Sequence, residues 1–339
     1  MNLATPFNAI GWVTGVFGSD KSFVANPIIG NATLNAWGLH RARVKAAERM
    51  AAFRRKMISG VSDADKAAYA RDGFVIKENY LPDEVFKRVR DEVFGQPLPA
   101  REMRQGQTVT RMIPLTHANR ANLPKSTEVA WDKGLNQLTG YVAGRTGAPI
   151  HFIQTVIAEP SRKKADPQTA LHADTFHSTS KFWLFLHDVD VEDGPFIFAP
   201  GSHILTQQRL AWEYEQSLTA RAEKRAHHSY GSFRINADQM EALGYQPPRQ
   251  VAVPANTLVV ADTYGFHSRS PSSKPTIRTE LHGHLRRNPF TPWNGLDIQS
   301  LPGVNHRQLD IHHWWLAKTG QRNIWRDVGM VHANAEAQV

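Results

Sequence analysis

The sequence predicts a mainly β fold with flanking helices, an antiparallel sandwich or jelly roll. Three observations predict it. Beyond Gly147 the chain carries short apolar runs, at Ile150 to Ala158, Lys181 to Val191, Pro195 to Ala199, Val251 to Ala261 and Thr276 to Leu285. They are rich in Phe, Val, Ile and Trp and are bounded by Pro, Gly, Asp and Ser clusters, which is the signature of strands. No regular helices alternate with them, so a parallel α/β sheet is disfavoured. Helical periodicity is instead concentrated before residue 95 and in an insertion from about Gln207 to Gln246, rich in Gln, Arg, Ala and Glu.

In chain order, residues 1–38 mix Gly, Pro and Asn without a period and read as an irregular arm. From Leu39 to Ile58 the pattern turns helical. Val44, Ala47, Met50, Ala51, Phe53, Met57 and Ile58 fall on one side at 100° per residue. Arg41, Lys45, Arg49, Arg55 and Lys56 fall on the other, while Arg43 and Arg54 intrude on the apolar stripe. This segment either lies on an anionic membrane surface or packs on the domain behind it, and the second reading is favoured two to one. Ser62 opens another helix with Asp65 in a capping-box position, running to about Arg71. Asp72-Gly73 is a turn, Phe74-Val75-Ile76 a short strand, and Leu81-Pro82-Asp83 the start of a helix that ends at Gly95. Residues 96–125 read as loop and short strands. These features divide the chain into an arm with a basic amphipathic helix (1–60), a jelly-roll domain (61–300) and a C-terminal extension packed on the core (301–339).

Composition excludes several classes of function. The 339 residues include no cysteine, which removes disulfide scaffolds, zinc fingers, iron–sulfur clusters and thiol nucleophiles together. Any metal must be held by His, Asp or Glu. No apolar run approaches the ~18 residues a membrane-spanning helix requires, and the N-terminus lacks the pattern of a secretory signal; the expected location is cytoplasmic, or peripheral at the inner face of a membrane through residues 39–58. Forty basic against 31 acidic residues favour an anionic partner. No nucleic-acid-binding signature accompanies the charge, so a small anionic or lipid-like substrate is expected and nucleic acid is not.

Three features carry chemistry. In His172-Ala173-Asp174 the imidazole and carboxylate point to the same side of an extended chain and can grip one metal. His267 stands at the end of the apolar run Thr257 to Ala261, and Arg278 comes eleven residues later. Between them lies Ser270-Pro271-Ser272-Ser273-Lys274-Pro275, a turn sequence. A hairpin centred between Ser272 and Ser273 would set His267 opposite Arg278. Two histidines and one carboxylate form the facial triad of non-haem iron(II) oxygenases. A guanidinium nearby suits a chelating 2-oxo diacid, whose far carboxylate accepts a bidentate fork.

The run Gly194 to His203, ending Pro200-Gly201-Ser202-His203, resembles the G-x-L-x-x-x-P-G-S-H segment of the phytanoyl-CoA dioxygenase family. With the H-x-D upstream, the His and Arg eleven residues apart, and Asp65 to Tyr80, which looks like the family's aspartate-glycine-phenylalanine-valine entry strand, the resemblance covers roughly residues 62–290. It implies an Fe(II)- and 2-oxoglutarate-dependent dioxygenase using O2, with a double-stranded β-helix (jelly-roll, cupin-like) core. By the same resemblance His172, Asp174 and His267 are the iron ligands and Arg278 the 2-oxoglutarate anchor. Ala173 stands where the family usually has Gln. Arg269 replaces the serine two residues after the distal histidine, so Ser268 is carried over as a co-substrate contact. Trp183 sits where an aromatic commonly lines the pocket, and is equally readable as a core tryptophan. His203 is expected to stabilise a loop at the pocket mouth, Asp262 and Tyr264 to line the pocket, and His282 and His284 to be ordinary strand residues. Halogenating relatives replace the carboxylate ligand, so retention of Asp174 favours hydroxylation, with desaturation or cyclisation as the alternative. A protein that binds 2-oxoglutarate without turnover, or an enzyme using the triad without it, are the rival readings; Arg278 argues against the latter.

Overall fold

The computed structural model describes residues 6–116, 119–162, 164–223, 226–294, 301, 303–304, 307–319 and 324–339; the expected domain boundary at residue 300 lies outside them. The chain begins with helices α1 (Pro6–Val16), α2 (Ala32–Ala36), α3 (Leu39–Arg55) and α4 (Asp63–Asp72). Next are strand β1 (Phe74–Lys77), helix α5 (Asp83–Phe94), strands β2 (Leu98–Gln105) and β3 (Thr108–Pro114), and helices α6 (Pro124–Ala130) and α7 (Lys133–Val142). Then come β4 (Ile150–Ala158), β5 (Ser180–Phe185), β6 (Phe196–Phe198), α8 (Gln207–Thr219), α9 (Ala226–Ser229) and α10 (Ala237–Ala242). The chain closes with β7 (Arg249–Val251), β8 (Leu258–Asp262), β9 (His267–Arg269), β10 (Thr276–Leu285), α11 (Gln308–Thr319) and β11 (Arg326–Val331).

The strands form two antiparallel sheets that enclose a core, a jelly roll as the run pattern predicts. The large sheet has eight strands in the order β1-β8-β5-β10-β4-β3-β2-β11, and the small one three in the order β7-β6-β9. Both faces of the large sheet are covered, which explains why its central strands read as continuous apolar runs rather than alternations. Phe182, Leu184 and Leu281 turn outward and pack with Val89 and Val93 of α5 and Leu135, Leu138 and Val142 of α7. Trp183 and Phe185, one residue along, turn inward against Phe196, Phe198 and Val251 of the small sheet. The same alternation puts Arg278, Glu280, His282 and His284 on one face of β10.

Several expectations change. Residues 1–38 are not irregular throughout: α1 and α2 lie there, α2 capped by Asn31, whose side chain accepts from the Leu34 amide. The segment 96–125 contains a full β2–β3 hairpin. Val251 to Ala261 is two strands in different sheets, broken at Pro254-Ala255-Asn256, where Asn256 has φ 60°. The C-terminal segment adds strand β11 to the edge of the large sheet beside β2. Arg111 on β3 anchors the residues just after β11: its guanidinium is 2.6 Å from Glu102 and donates to the carbonyls of His332, Ala333, Ala335 and Glu336.

The helix at 39–58 packs on the domain. Val44, Ala47 and Ala51 are buried, and so are the two arginines on the apolar stripe. Arg43 donates to the carbonyls of Val16, Gly18 and Asp20, and Arg54 to those of Gly144, Pro289 and Thr291. Arg55, expected on the outer face, turns inward to Ser178 Oγ at 2.8 Å and Asp262 at 3.6 Å. Phe53 and Met57, expected inside, are each 50% exposed. A guanidinium can serve several backbone carbonyls that an apolar side chain would leave unpaired, which inverts the expected pattern. Among the described residues, no helix is long and apolar enough to cross a membrane.

Candidate metal centre

The centre is built on backbone pairing. His172 N donates to His267 O and His267 N to His172 O, each at 3.0 Å, so the H-x-D segment lies beside β9 as an extra rung. On its other side Ala173 N donates to Phe233 O. Asp174 N donates to Thr263 O at 2.8 Å, which keeps the segment extended and sends His172 and Asp174 to one side. The Pro200-Gly201-Ser202 turn holds the approach to β9: Ala199 N donates to Phe266 O, and Phe266 N to Ser202 Oγ.

These contacts bring His172, Asp174 and His267 together, with one ligand atom from each within 4.8 Å of the others. Asp174 Oδ1 is 3.6 Å from Nε2 of both imidazoles. Each Nδ1 lies against a backbone carbonyl, Ala170 O at 2.8 Å for His172 and Gly265 O at 2.9 Å for His267. That contact fixes the tautomer with the proton on Nδ1 and turns the Nε2 lone pair to the shared point. Burial pushes His267 down to about 3, which keeps it neutral. Burial raises Asp174, but Lys181 and the two imidazoles outweigh it and hold the carboxyl well below its ordinary range. Lys181 Nζ sits 2.6 Å from Oδ2, leaving Oδ1 for the centre. His267 Nε2 is buried and has no hydrogen-bond partner among the described residues. An orphaned lone pair, a second imidazole and a carboxylate are a donor set that fits iron.

His172 and His267 line a cavity of about 270 Å³, and Arg278, Ser268, Trp183 and Lys181 line it with them. Arg278 is not the hairpin neighbour of His267. β9 pairs with β6 in the small sheet, whereas β10 runs between β4 and β5 in the large one. The proline-bearing loop 270–275 crosses between the sheets because its amides are taken elsewhere, Ser270 N by Pro195 O and Ser273 N by Glu192 O. His267 and Arg278 therefore contribute to the cavity from different sheets. Arg278 is buried, donates to Gly194 O and lies 3.7 Å from Glu280. Burial raises Glu280 to about 7 in spite of Arg278 and the Gln154 amide, which donates to it at 2.9 Å.

Other expectations divide. Ser268 is buried with its hydroxyl unpartnered among the described residues. Trp183 is both core and lining, with its ring 4.7 Å from Phe196 and 5.5 Å from His282. Arg269 is occupied by Asp166 at 2.8 Å. The His203 ring lies 5.0 Å from that of Tyr69, tilted by 58°, and packs over Gly73, where φ is 86° and a Cβ would meet its ring, so it braces the turn into β1. Asp262 and Tyr264 do not line this cavity. Asp262 accepts from Tyr69 Oη and from the amides of Thr179 and Tyr264, and Tyr264 is buried under Arg209. His282 and His284, read as plain strand residues, do line it. Their signal is the period of two running forward from Arg278. Lys181, Lys21 and Glu280 went unpredicted; only Glu280 shared that signal.

The sequence model of the family described as "Phytanoyl-CoA dioxygenase (PhyH)" matches residues 69–242. No curated protein matches the chain. Among solved structures, the chain is similar to SnoK, a non-heme alpha ketoglutarate dependent carbocyclase from nogalamycin biosynthesis, at 21% identity over 67% of this chain and 84% of that one, with a TM-score of 0.44. It is similar also to HygX from Streptomyces hygroscopicus, solved with nickel, 2-oxoglutarate and hygromycin B, at 13% identity over 70% and 92%, TM-score 0.40. EctD from S. alaskensis, solved with 2-oxoglutarate and 5-hydroxyectoine, shares 12% identity over 73% and 87%, TM-score 0.41.

Proposed function

Since this chain belongs to the phytanoyl-CoA dioxygenase family, we propose that it is an iron(II)- and 2-oxoglutarate-dependent oxygenase that hydroxylates an aliphatic C–H bond of a small anionic or lipid-like molecule. The observation that carries this reading is the convergence of two imidazoles and one carboxylate on a point beside a buried guanidinium.

Bound iron(II) and 2-oxoglutarate would supply the activation of O2 and the oxidation of the C–H bond, chemistry no side chain performs. The protein's part is binding and placement. His172, Asp174 and His267 would hold the metal from one side, with both imidazole orientations set by backbone carbonyls. Lys181 steadies Asp174 through Oδ2. Arg278 would take the far carboxylate of 2-oxoglutarate, and Ser268 Oγ would donate to the same molecule. Trp183 and Phe196 pack against each other in the cavity wall. Retention of Asp174 as a ligand leaves no vacancy for a halide, which favours oxygen insertion.

A peripheral membrane contact through residues 39–58 belongs to the same reading. Arg41, Lys45, Arg49 and Lys56 are exposed together with Phe53 and Met57. Pelleting with phosphatidylserine vesicles, lost in an Arg41→Gln, Lys45→Gln, Arg49→Gln variant, is the expected result.

The deciding experiment measures succinate released from 2-oxoglutarate in the presence of Fe(II) and O2. Wild-type protein should release it and His172→Ala should not. Full succinate release by His172→Ala would sink the ligand assignment, and none from the wild type would sink the activity.

A further inference from the structure

A second, larger cavity borders Asp174. It encloses about 430 Å³ and is lined by Lys21, Asp174, Lys181, Arg286 and Arg287, among others. Lys181 and His284 line both cavities, so the two meet at the metal centre. The larger one lies at the strand ends: Ala148 and Ile150 enter β4 there, and Arg286 and Arg287 come directly after β10. Gln308 of α11 completes its rim.

Its charge is lopsided. Four cations line it against one acid, and that acid is the proposed metal ligand. Lys21 comes from the N-terminal segment and donates to the backbone carbonyl of Asp174, a neutral acceptor that leaves its charge uncompensated. Burial lowers Lys21 to about 8, Asp174 opposing. Arg286 is exposed and donates to Ser19 O, again a carbonyl; the acids that act on it are Asp174 and Asp20. Burial lowers His284 to about 4, so it adds no charge of its own. Lys21 and Arg286, each set on a backbone carbonyl in a concave site, attract an oxyanion.

We infer that this cavity is the substrate site and that Lys21 and Arg286 hold an anionic head group, a carboxylate or a phosphate, of the molecule oxidised beside Asp174. The inference rests on the oxygenase reading and narrows its substrate class to organic acids or phosphate esters. Arg286 and Lys21 set specificity by charge, and the N-terminal segment thereby takes part in substrate binding.

Calorimetry under anaerobic conditions tests this in two stages. The full chain is first titrated with Fe(II) and then with 2-oxoglutarate. The loaded protein is next titrated with hexanoate, hexyl phosphate and 1-hexanol, which share one chain and differ in head group. At least one of the two anions should bind about tenfold or more tightly than the alcohol, the scale of one charge-assisted hydrogen bond. A preference for hexyl phosphate assigns a phosphate ester, and the reverse a carboxylic acid. Arg286→Gln and Lys21→Gln should each weaken the anions about tenfold and leave the alcohol unchanged. Equal affinity for all three probes, or anion affinity unaltered in both variants, overturns the inference while normal Fe(II) and 2-oxoglutarate uptake leaves the oxygenase reading standing. Absence of uptake in the first stage overturns the oxygenase reading instead, and the probes are then titrated into the metal-free protein with the same criteria for the anion site.

Discussion

His172 and His267 exchange two backbone hydrogen bonds, His172 N to His267 O and His267 N to His172 O, and their rings lie 4.6 Å apart. The pairing that positions the imidazoles is independent of the imidazoles themselves. Removing one ring should therefore leave the rung intact. His267→Ala is expected to lose more than about 100-fold in Fe(II) affinity, since even loss of an outer-shell partner costs 10–100-fold. Anaerobic calorimetry reads the affinity, and circular dichroism should show the β content unchanged. Retained affinity would remove His267 from the ligand set.

Glu280 gives a pH dependence of known sign. Its carboxyl is raised to about 7 by burial, above the ~4.3 of an unfolded chain. Between those values the folded state binds more protons than the unfolded state, so this group's contribution to stability falls as pH rises from about 4.5 to about 7. Glu280→Gln removes that contribution. Urea unfolding from pH 5 to 8 should show the wild type losing stability relative to the variant, by an amount on the order of 3 kcal/mol. Parallel profiles would contradict the raised value.

Arg111 and Glu102 form a fully buried ion pair, and Arg111 also serves four C-terminal carbonyls. Arg111→Met takes the counter-charge from the Glu102 carboxylate, to which the Gln338 amide still donates, and removes the donor of the four carbonyls together. The expected loss is about 3–5 kcal/mol by chemical denaturation, with faster amide exchange in β11 and in the segment after it. An unchanged exchange pattern would mean that β11 is held by its pairing with β2 alone.

The inward arginines of α3 separate an arm from a part of the fold. Deleting residues 1–58 would strip partners from Glu213, Asp262 and the carbonyls of Gly144, Pro289 and Thr291. The truncated chain should aggregate, or melt far below the full chain by calorimetry. A truncation that stays monomeric with an unshifted transition would make the segment a detachable arm after all.

Legibility in the sequence depends on how local each signal is. The H-x-D pair works through the two-residue period of extended chain, and the Gly194 to His203 run is contiguous, so both could be read. The cavity residues on β10 were half legible: the period from Arg278 marks His282 and His284, with buried Glu280 between them and Arg278, but not whether that face looks inward. The hairpin reading failed because turn residues signal a reversal without saying which sheet receives the next strand. Pro195 O and Glu192 O, some eighty residues upstream, decide that. Lys21 was illegible for the same reason, since it reaches Asp174 across 153 positions. Arg55, Phe53 and Met57 fall on the opposite side from the one their charge or apolarity suggests, because composition alone does not reveal that Ser178, Asp262 and the carbonyls of Tyr141 and Val142 need a donor.

Because loop 270–275 delivers His267 and Arg278 to different sheets, the span between ligand and guanidinium is set by how far apart those sheets are wedged. The wedge is the aromatic contact of Trp183 with Phe196. On the proposed role of Arg278 as the co-substrate anchor, these two rings would act as a gauge of diacid length: trimming either one would let the layers settle closer and shift the tolerance from a five-carbon chelator toward a shorter homologue.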